Sequence, residues 1–238
     1  MKKLILSLAL CCAAFNLFAQ DTPELAKLRN DGIAALEAKD YQTAYTNFSS
    51  YMNQTNNQDS VIAYNCGICA DKIKKPADAV KYFDIAVQKK YNLANAYIGK
   101  AGALKDLKKD NEYVATLKEG LEANPGNKTL TRLYATYYVN QGIMAQKAKK
   151  VTEAEDAYKQ AIEIQPNNIN ALNSLGSLYY STGAALVQSD AEKAKVEFQS
   201  AKKYLEQLVP LLSADKPAQK KMLDNVNTML NYINSVLK

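Results

Sequence analysis

From about residue 25 onward, apolar residues recur every three or four positions, in runs separated by short polar stretches. That spacing puts the apolar side chains on one face of an α-helix. The runs come in twos: a first helix, a tight polar turn, a second helix, then a stop made of Pro and Asn. Asn124-Pro125-Gly126-Asn127 and Gln165-Pro166-Asn167-Asn168 are such stops, because the residue before a proline is pushed out of the α region. Asp40-Tyr41-Gln42-Thr43-Ala44 opens a second helix that continues to Phe48 and Tyr51. Pro76-Ala77-Asp78-Ala79 does the same ahead of Phe83 and Ala86, with Pro76 suited to a first helical turn.

The pattern also repeats. Gly32, Gly67, Ala101, Ala135 and Gly176 sit in similar helical contexts, at separations of 35, 34, 34 and 41. A second series, Phe48, Phe83, Leu117 and Tyr158, is spaced by 35, 34 and 41, and Pro125 and Pro166 lie 41 apart. Small residues at Gly32, Gly67, Ala44 and Ala79 let two helix backbones approach, and the aromatics fill the space against the next pair. A single pair cannot bury its apolar face, so stacking must supply the core.

The period and the motifs resemble the tetratricopeptide repeat family. Asp-Tyr-x-x-Ala-x-x-x-Phe from Asp40 to Phe48, and Ala-x-x-x-Tyr-x-x-Ala from Ala154 to Ala161 followed by Pro166, both match its pattern. The resemblance implies an all-α fold, a right-handed α-α superhelix of about five helix pairs closed by a C-terminal capping helix. The expected units run 25–58, 60–93, 94–127, 128–168 and 169–213, with a short segment 20–24 before them and the cap at 217–238. Tyr113 departs from the family by standing where a small residue is usual. The fourth unit carries seven extra residues between Ala135 and Tyr158, nearly two helical turns, so a longer helix keeps its apolar face in phase. In the fifth, Asp190 to Lys203 reads as an extended charged helix. Met222, Leu223, Val226, Met229, Leu230 and Ile233 give the cap its apolar face.

In this family the first helix of each pair lines a concave groove that binds peptide-like partners. Carried over by position, the groove residues are Arg29 and Ile33, then Tyr64, Asn65 and Ile68, then Asn95 and Ile98. Arg132 and Thr136 follow from the fourth unit, and Asn173, Ser177 and Tyr180 from the fifth. Such a surface suits an extended polypeptide, with asparagines bonding its backbone and apolar side chains seating its residues. Some family members clamp a partner's C-terminal carboxylate with basic and Asn residues. Arg29 and Asn65 fit two of those places, but Ile33, Asn95 and Gly99 occupy the others, so that clamp is not expected here.

Composition removes several kinds of chemistry. The chain of 238 residues has no His and no Trp, which excludes Ser-His-Asp and Cys-His catalysis and His-bearing metal sites. No phosphate-binding glycine loop, dinucleotide fingerprint, zinc-protease or EF-hand pattern is present, and no cofactor or metal is implied. Thirty basic and 24 acidic residues give a net charge of +6, too thinly spread to mark a nucleic-acid binder. Glu153-Ala154-Glu155-Asp156 reads as an ordinary acidic first turn, and Lys147, Lys149 and Lys150 as a solvated, locally paired surface. Asp59-Ser60-Val61 resembles an O-glycan acceptor triplet, which helix capping by Ser60 explains equally well. Cys66-Gly67-Ile68-Cys69 falls in the middle of a helix, not at the helix N-terminus that a redox pair uses. Two buried core cysteines are expected there. Sixteen tyrosines against five phenylalanines place contact area with polar tips on the molecule, most of it facing the core, as for Tyr82, Tyr134 and Tyr138.

The first residues read as an address. Met1-Lys2-Lys3 is followed by the uncharged apolar stretch Leu4 to Phe18 and by Ala19, the layout of a secretory signal peptide at 1–19. Loss of Lys2 and Lys3 leaves 28 basic against 24 acidic residues, net +4. Cys11 and Cys12 lie inside the apolar stretch without the small residue that a lipoprotein signal places before its cysteine. The expectation is an exported protein, periplasmic first, with the cell surface or secretion as the alternatives, and without enzymatic activity. It binds a polypeptide partner through the concave face, with no nucleic acid and no membrane span after cleavage. A self-assembling structural module and a thiol redox protein using Cys66 and Cys69 are the alternatives, with glycan binding by the tyrosines behind them.

Overall fold

The computed structural model describes residues 22–238, and every regular element among them is helical. The signal-peptide expectation falls on residues outside the described ones. In order, the helices are α1 (Pro23–Glu37), α2 (Tyr41–Gln54), α3 (Ser60–Lys72), α4 (Pro76–Gln88), α5 (Leu93–Asp106) and α6 (Asp110–Ala123). There follow α7 (Lys128–Lys147), α8 (Val151–Ile164), α9 (Ile169–Leu186), α10 (Ala191–Leu208) and α11 (Pro217–Val236), with a 3-10 turn at Val209–Leu211. The chain divides into two compact units, the first ending at Thr116 and the second starting at Leu117.

Local chemistry sets the helix starts. Side-chain oxygens accept hydrogen bonds from otherwise unpaired backbone N–H groups: Thr22 from Leu25, Asp40 from Thr43, Asn127 from Thr129 and Leu130, Asn168 from Ala171, and Asp190 from Lys193. α3 is capped by Asp59, whose carboxylate accepts from Val61 and Ile62 at 2.9 and 3.0 Å. Ser60 is the first helical residue, so the expectation that it caps the helix is corrected. Pro23, Pro76 and Pro217 begin α1, α4 and α11, where a missing N–H costs no bond.

The turns within the pairs carry a feature that the apolar pattern does not reveal. Lys39, Lys74, Lys108 and Lys149 each adopt a left-handed conformation, with φ of 60°, 59°, 57° and 59°. This reverses the chain, and the residue after each lysine donates its N–H back into the preceding helix: Asp40 to Ala35, Lys75 to Ala70, Lys109 to Leu104 and Lys150 to Ala145, at 2.8 to 3.0 Å. Such bonds satisfy the carbonyls that a helix end leaves open.

In the first unit, α2, α3 and α4 enclose Ala44, Phe48, Met52, Ile62, Ala63, Cys66 and Cys69, all essentially without solvent contact. Close approach is made by glycine. A Cβ on Gly32 would lie 2.5 Å from the Phe48 ring, and Phe83 sits between Gly67 and Gly99, where added Cβ atoms would lie 2.9 and 2.5 Å from it. Tyr45 donates its hydroxyl to Asp78 at 2.7 Å, and Lys100 pairs with Asp84 at 2.6 Å, tying α5 to α4.

In the second unit one cluster joins α8, α9, α10 and α11 through Tyr158, Leu172, Leu175, Phe198, Leu205, Leu208, Val226 and Ile233. The charged stretch after Asp190 is the solvent face of α10, which docks along α9 through Ala194, Phe198, Ala201 and Leu205. α7 has 20 residues where α3 has 13, and the added turns move the close contact. Tyr158 packs on Gly142, and Phe198 on Gly183. Ala135, expected at the contact with the aromatic, is buried elsewhere on α7, and Gly176 meets Leu205 instead. Tyr82 is buried, while Tyr134 and Tyr138 are half-buried and pack on each other with ring centroids 5.3 Å apart.

Candidate functional site

The first helices of the first unit bring their expected groove residues into unequal settings. Ile33 on α1 is exposed and Arg29 half-buried. On α3, Tyr64 lies edge-on against Phe83 and Tyr91, both at 5.8 Å, and burial raises its hydroxyl pKa. Ile68 rests on the cluster of Ala70, Ala79, Phe83 and Ala103. Tyr64 and Ile68 thus serve packing as well as surface, while Asn65 and Ile98 are half-buried beside them. The amide of Asn95 is engaged, donating to Asn92 Oδ1 at 2.9 Å.

The second unit offers a more open arrangement. Between α7 and α9 lies a cleft of about 320 Å³ lined by Thr136, Asn140, Ile143, Asn170, Asn173 and Ser174 among others. Between α9 and α11 lies a second, of about 590 Å³, lined by Asn173, Ser177, Lys221, Met222, Asn225 and Met229 among others. Asn173 is a wall of both. The two clefts therefore adjoin, and α9 forms the ridge between them.

Helical periodicity explains the lining. On α7, Thr136, Asn140 and Ile143 are separated by four and three residues and share a face with Arg132 one turn earlier. Asn170, Asn173 and Ser177, separated by three and four residues, likewise share a face of α9. Asn168 Oδ1 caps α9 and its amide donates to Gln165, so it is spent on the fold. Among the described residues, the side chains of Asn140, Asn170, Asn173 and Asn225 make no hydrogen bond within the protein. Four carboxamides, each with donors and an acceptor, are thus available around Ile143, Met222 and Met229.

Of the expected groove residues in this unit, Thr136, Asn173 and Ser177 come together here. Arg132 is exposed beside them. Tyr180 is turned to another use: its ring packs on Phe198 at 5.9 Å and on Tyr232 at 5.8 Å, joining α9 to α10 and α11. Asn140, Ile143 and Asn170 escaped the reading by family position, although the three-and-four spacing from Thr136 and Asn173 already marked them. The contribution of α11 could not be read that way, since it belongs to no repeat pair.

The thiols do not form a site of this kind. Cys66 and Cys69 are free and fully buried. Burial drives both away from the thiolate, Cys69 to a pKa of about 11 and Cys66 further. Among the described residues no group of three His, Cys, Asp or Glu side chains is placed to hold a metal, and no helix is long and apolar enough to cross a membrane.

Comparison with known proteins agrees with this architecture. A family model described as TPR repeat matches residues 147–183. The crystal structure of a TPR repeats protein from Bacteroides fragilis is 45% identical, covers 87% of this chain and all of that one, and superposes with a TM-score of 0.71. The chain belongs to the tetratricopeptide repeat family. More distant similarities include MamA protein, at 20% identity over 77% of this chain and 93% of that chain with a TM-score of 0.43. The TPR domain of P58(IPK) is another, at 14% identity over 88% of this chain and 66% of that chain with a TM-score of 0.46. The chain has no match among curated proteins.

Proposed function

We propose that the protein is a non-catalytic scaffold that holds an extended polypeptide in the α7–α9–α11 groove. The observation that carries this reading is the set of four uncommitted carboxamides lining two adjoining clefts with Asn173 between them. An extended chain presents N–H and C=O groups at regular intervals, and a carboxamide answers either one. Ile143, Met222 and Met229 seat its apolar side chains, methionine adapting to varied shapes. The helices present this surface preformed, so little ordering entropy opposes binding. The leader at 1–19 supports export, with the partner met in the cell envelope. Arg29, Ile33, Asn65, Asn95 and Ile98 offer a second, smaller set of contacts in the first unit.

The test is capture from envelope extract with a photo-crosslinking residue placed at Ile143. Capture of a discrete polypeptide, reduced about tenfold or more by Asn173→Ala together with Asn140→Ala, is the expected result. A captured partner unaffected by the double substitution, with its melting temperature unchanged, would place binding outside this groove. N-terminal sequencing of the protein made in its native host is expected to begin at Gln20, and an intact Met1 would remove the export reading.

A further inference from the structure

Charge is sorted between the helices of the second unit. α7 carries Lys128, Arg132 and Lys147 and no acidic residue, α9 has no charge at all, and α11 carries Lys220 and Lys221 against Asp224 alone. Most acids of this unit lie instead on the partner helices, with Glu119 and Glu122 on α6, Glu153, Glu155, Asp156 and Glu163 on α8, and Glu192, Glu197 and Glu206 on α10. There they are offset by lysines, through pairs such as Lys150–Glu153, Lys159–Glu155 and Lys195–Glu192. The first helices of the other unit show no such sorting, since α1 alone holds Glu24, Asp31 and Glu37 beside Lys27 and Arg29.

The sorting reaches the groove. No carboxylate lines either cleft, and the single charged lining residue is Lys221. Along α7, Lys128, Arg132, Thr136, Asn140, Ile143 and Lys147 fall within one helical stripe. Among the described residues, Lys128, Arg132, Lys147 and Lys221 enter no ion pair. Unpaired cations flanking a groove without acids attract a ligand of opposite sign and repel a basic one.

Building on the peptide-groove reading, we propose that the segment held between α7, α9 and α11 is acidic, its carboxylates meeting Lys221 on one side and Arg132 on the other while its backbone meets the asparagines. A polypeptide fits better than a nucleic acid. Only a few cations flank the groove, spaced by a helical turn and not in a comb that tracks phosphates, and no exposed aromatic platform for stacked bases lines either cleft.

The experiment measures binding by fluorescence anisotropy to three labelled peptides of equal length. They share alternating Leu and Ala positions, with Glu, Gln or Lys at the remainder, and a labelled single-stranded oligonucleotide is run beside them. The Glu peptide should bind about tenfold tighter than the Gln peptide at low salt, and the Lys peptide weakest. Lys221→Glu with Arg132→Glu should erase or reverse that order while the melting temperature stays put, both side chains being free of ion pairs. Equal binding of all three peptides, still lost in Asn173→Ala, would overturn the acidic preference and leave the groove reading intact. Binding of the Glu peptide that ignores both the charge reversals and Asn173→Ala would overturn both, and preferred binding of the oligonucleotide would overturn the choice of polypeptide.

Discussion

Gly142 and Tyr158 stand sixteen residues apart, and the tyrosine ring lies flush against the bare Cα of the glycine. The same separation joins Gly32 to Phe48 and Gly67 to Phe83. The seven extra residues of α7 therefore fall before its glycine and leave the helix hairpin that follows unaltered. In these three pairs the hairpin keeps its geometry while the first helix varies in length, whereas in the last pair Gly183 meets Phe198 fifteen residues on. Tyr158 adds a hydrogen bond to Gln146 at 2.8 Å, which fixes the ring where a phenylalanine would rely on packing alone.

Gly142→Ala should accordingly destabilise the protein by about 1–3 kcal/mol, the cost of overpacking a filled contact. Gly102 in α5 is the control. It is exposed and a Cβ there meets nothing within 4 Å. Gly102→Ala should stabilise by about 0.5–1 kcal/mol through helix propensity. Urea unfolding of the two variants measures both, and the same sign for both would refute the packing account.

The left-handed lysines at the turns within the pairs make a second, opposite-signed prediction. An L-residue in that conformation costs roughly 1–2 kcal/mol, and glycine escapes most of it at some entropic cost of its own. Lys39→Gly, Lys74→Gly and Lys149→Gly should each raise stability by about 0.5–1 kcal/mol. Their positions at separate turns make the effects additive. A loss of stability in all three would mean that the lysine side chains hold these turns by contacts of their own.

The division between what the sequence reveals and what it hides follows from these elements. Helix pairing, the start of α2 at Asp40 and the burial of the cysteines follow from periodicity and residue type. The turn lysines did not stand out, because glycine is the residue expected where the backbone turns left-handed, and among the described residues only Gly126, with φ of 79°, obeys that expectation. The shift from Ala135 to Gly142 was hidden because both are small and lie seven residues apart, on one face of the helix. Within the groove, Thr136, Asn173 and Ser177 were legible by position in the repeat. Lys221, Met222 and Asn225 were not, since α11 joins the groove only through its packing on α9 and α10.

Acid–base behaviour should centre on Glu155 and Glu197. Burial alone would raise the Glu155 pKa, but hydrogen bonds from Lys159 and Tyr179 outweigh it and hold the carboxyl below its ordinary value. Its stabilising effect is complete above the unfolded glutamate range and is lost as pH falls through the folded value. Glu197 runs the other way: burial, then the charge of Glu155, raises its pKa. The penalty for charging it is absent in acid and complete once pH exceeds the folded value. Tyr179→Phe should lower the melting temperature at about pH 7, and the loss should shrink as pH falls below the unfolded glutamate range toward the folded value. Glu197→Gln should raise the melting temperature at about pH 7 and leave it unchanged at about pH 3. Thermal scans at the two pH values decide, and shifts independent of pH would show that neither carboxyl titrates differently in the fold.

The cysteines provide the last test, because burial and reactivity must agree. Both thiols lie in the core between α2, α3 and α4, and Cys69 with a pKa of about 11 exposes only about one thiolate in a thousand at pH 8 even before access is considered. Iodoacetamide at about pH 8 should leave Cys66 and Cys69 unmodified in the folded protein and label both once guanidinium unfolds it. Intact mass and peptide mapping report the sites. Labelling should then follow global unfolding, with a rate that falls as stabilising substitutions such as Gly102→Ala are added. Rapid labelling of the native protein would show an accessible, activated thiol and return the redox alternative to first place. Resistance to labelling even in guanidinium, reversed by a reductant, would reveal a disulfide formed before the core closed.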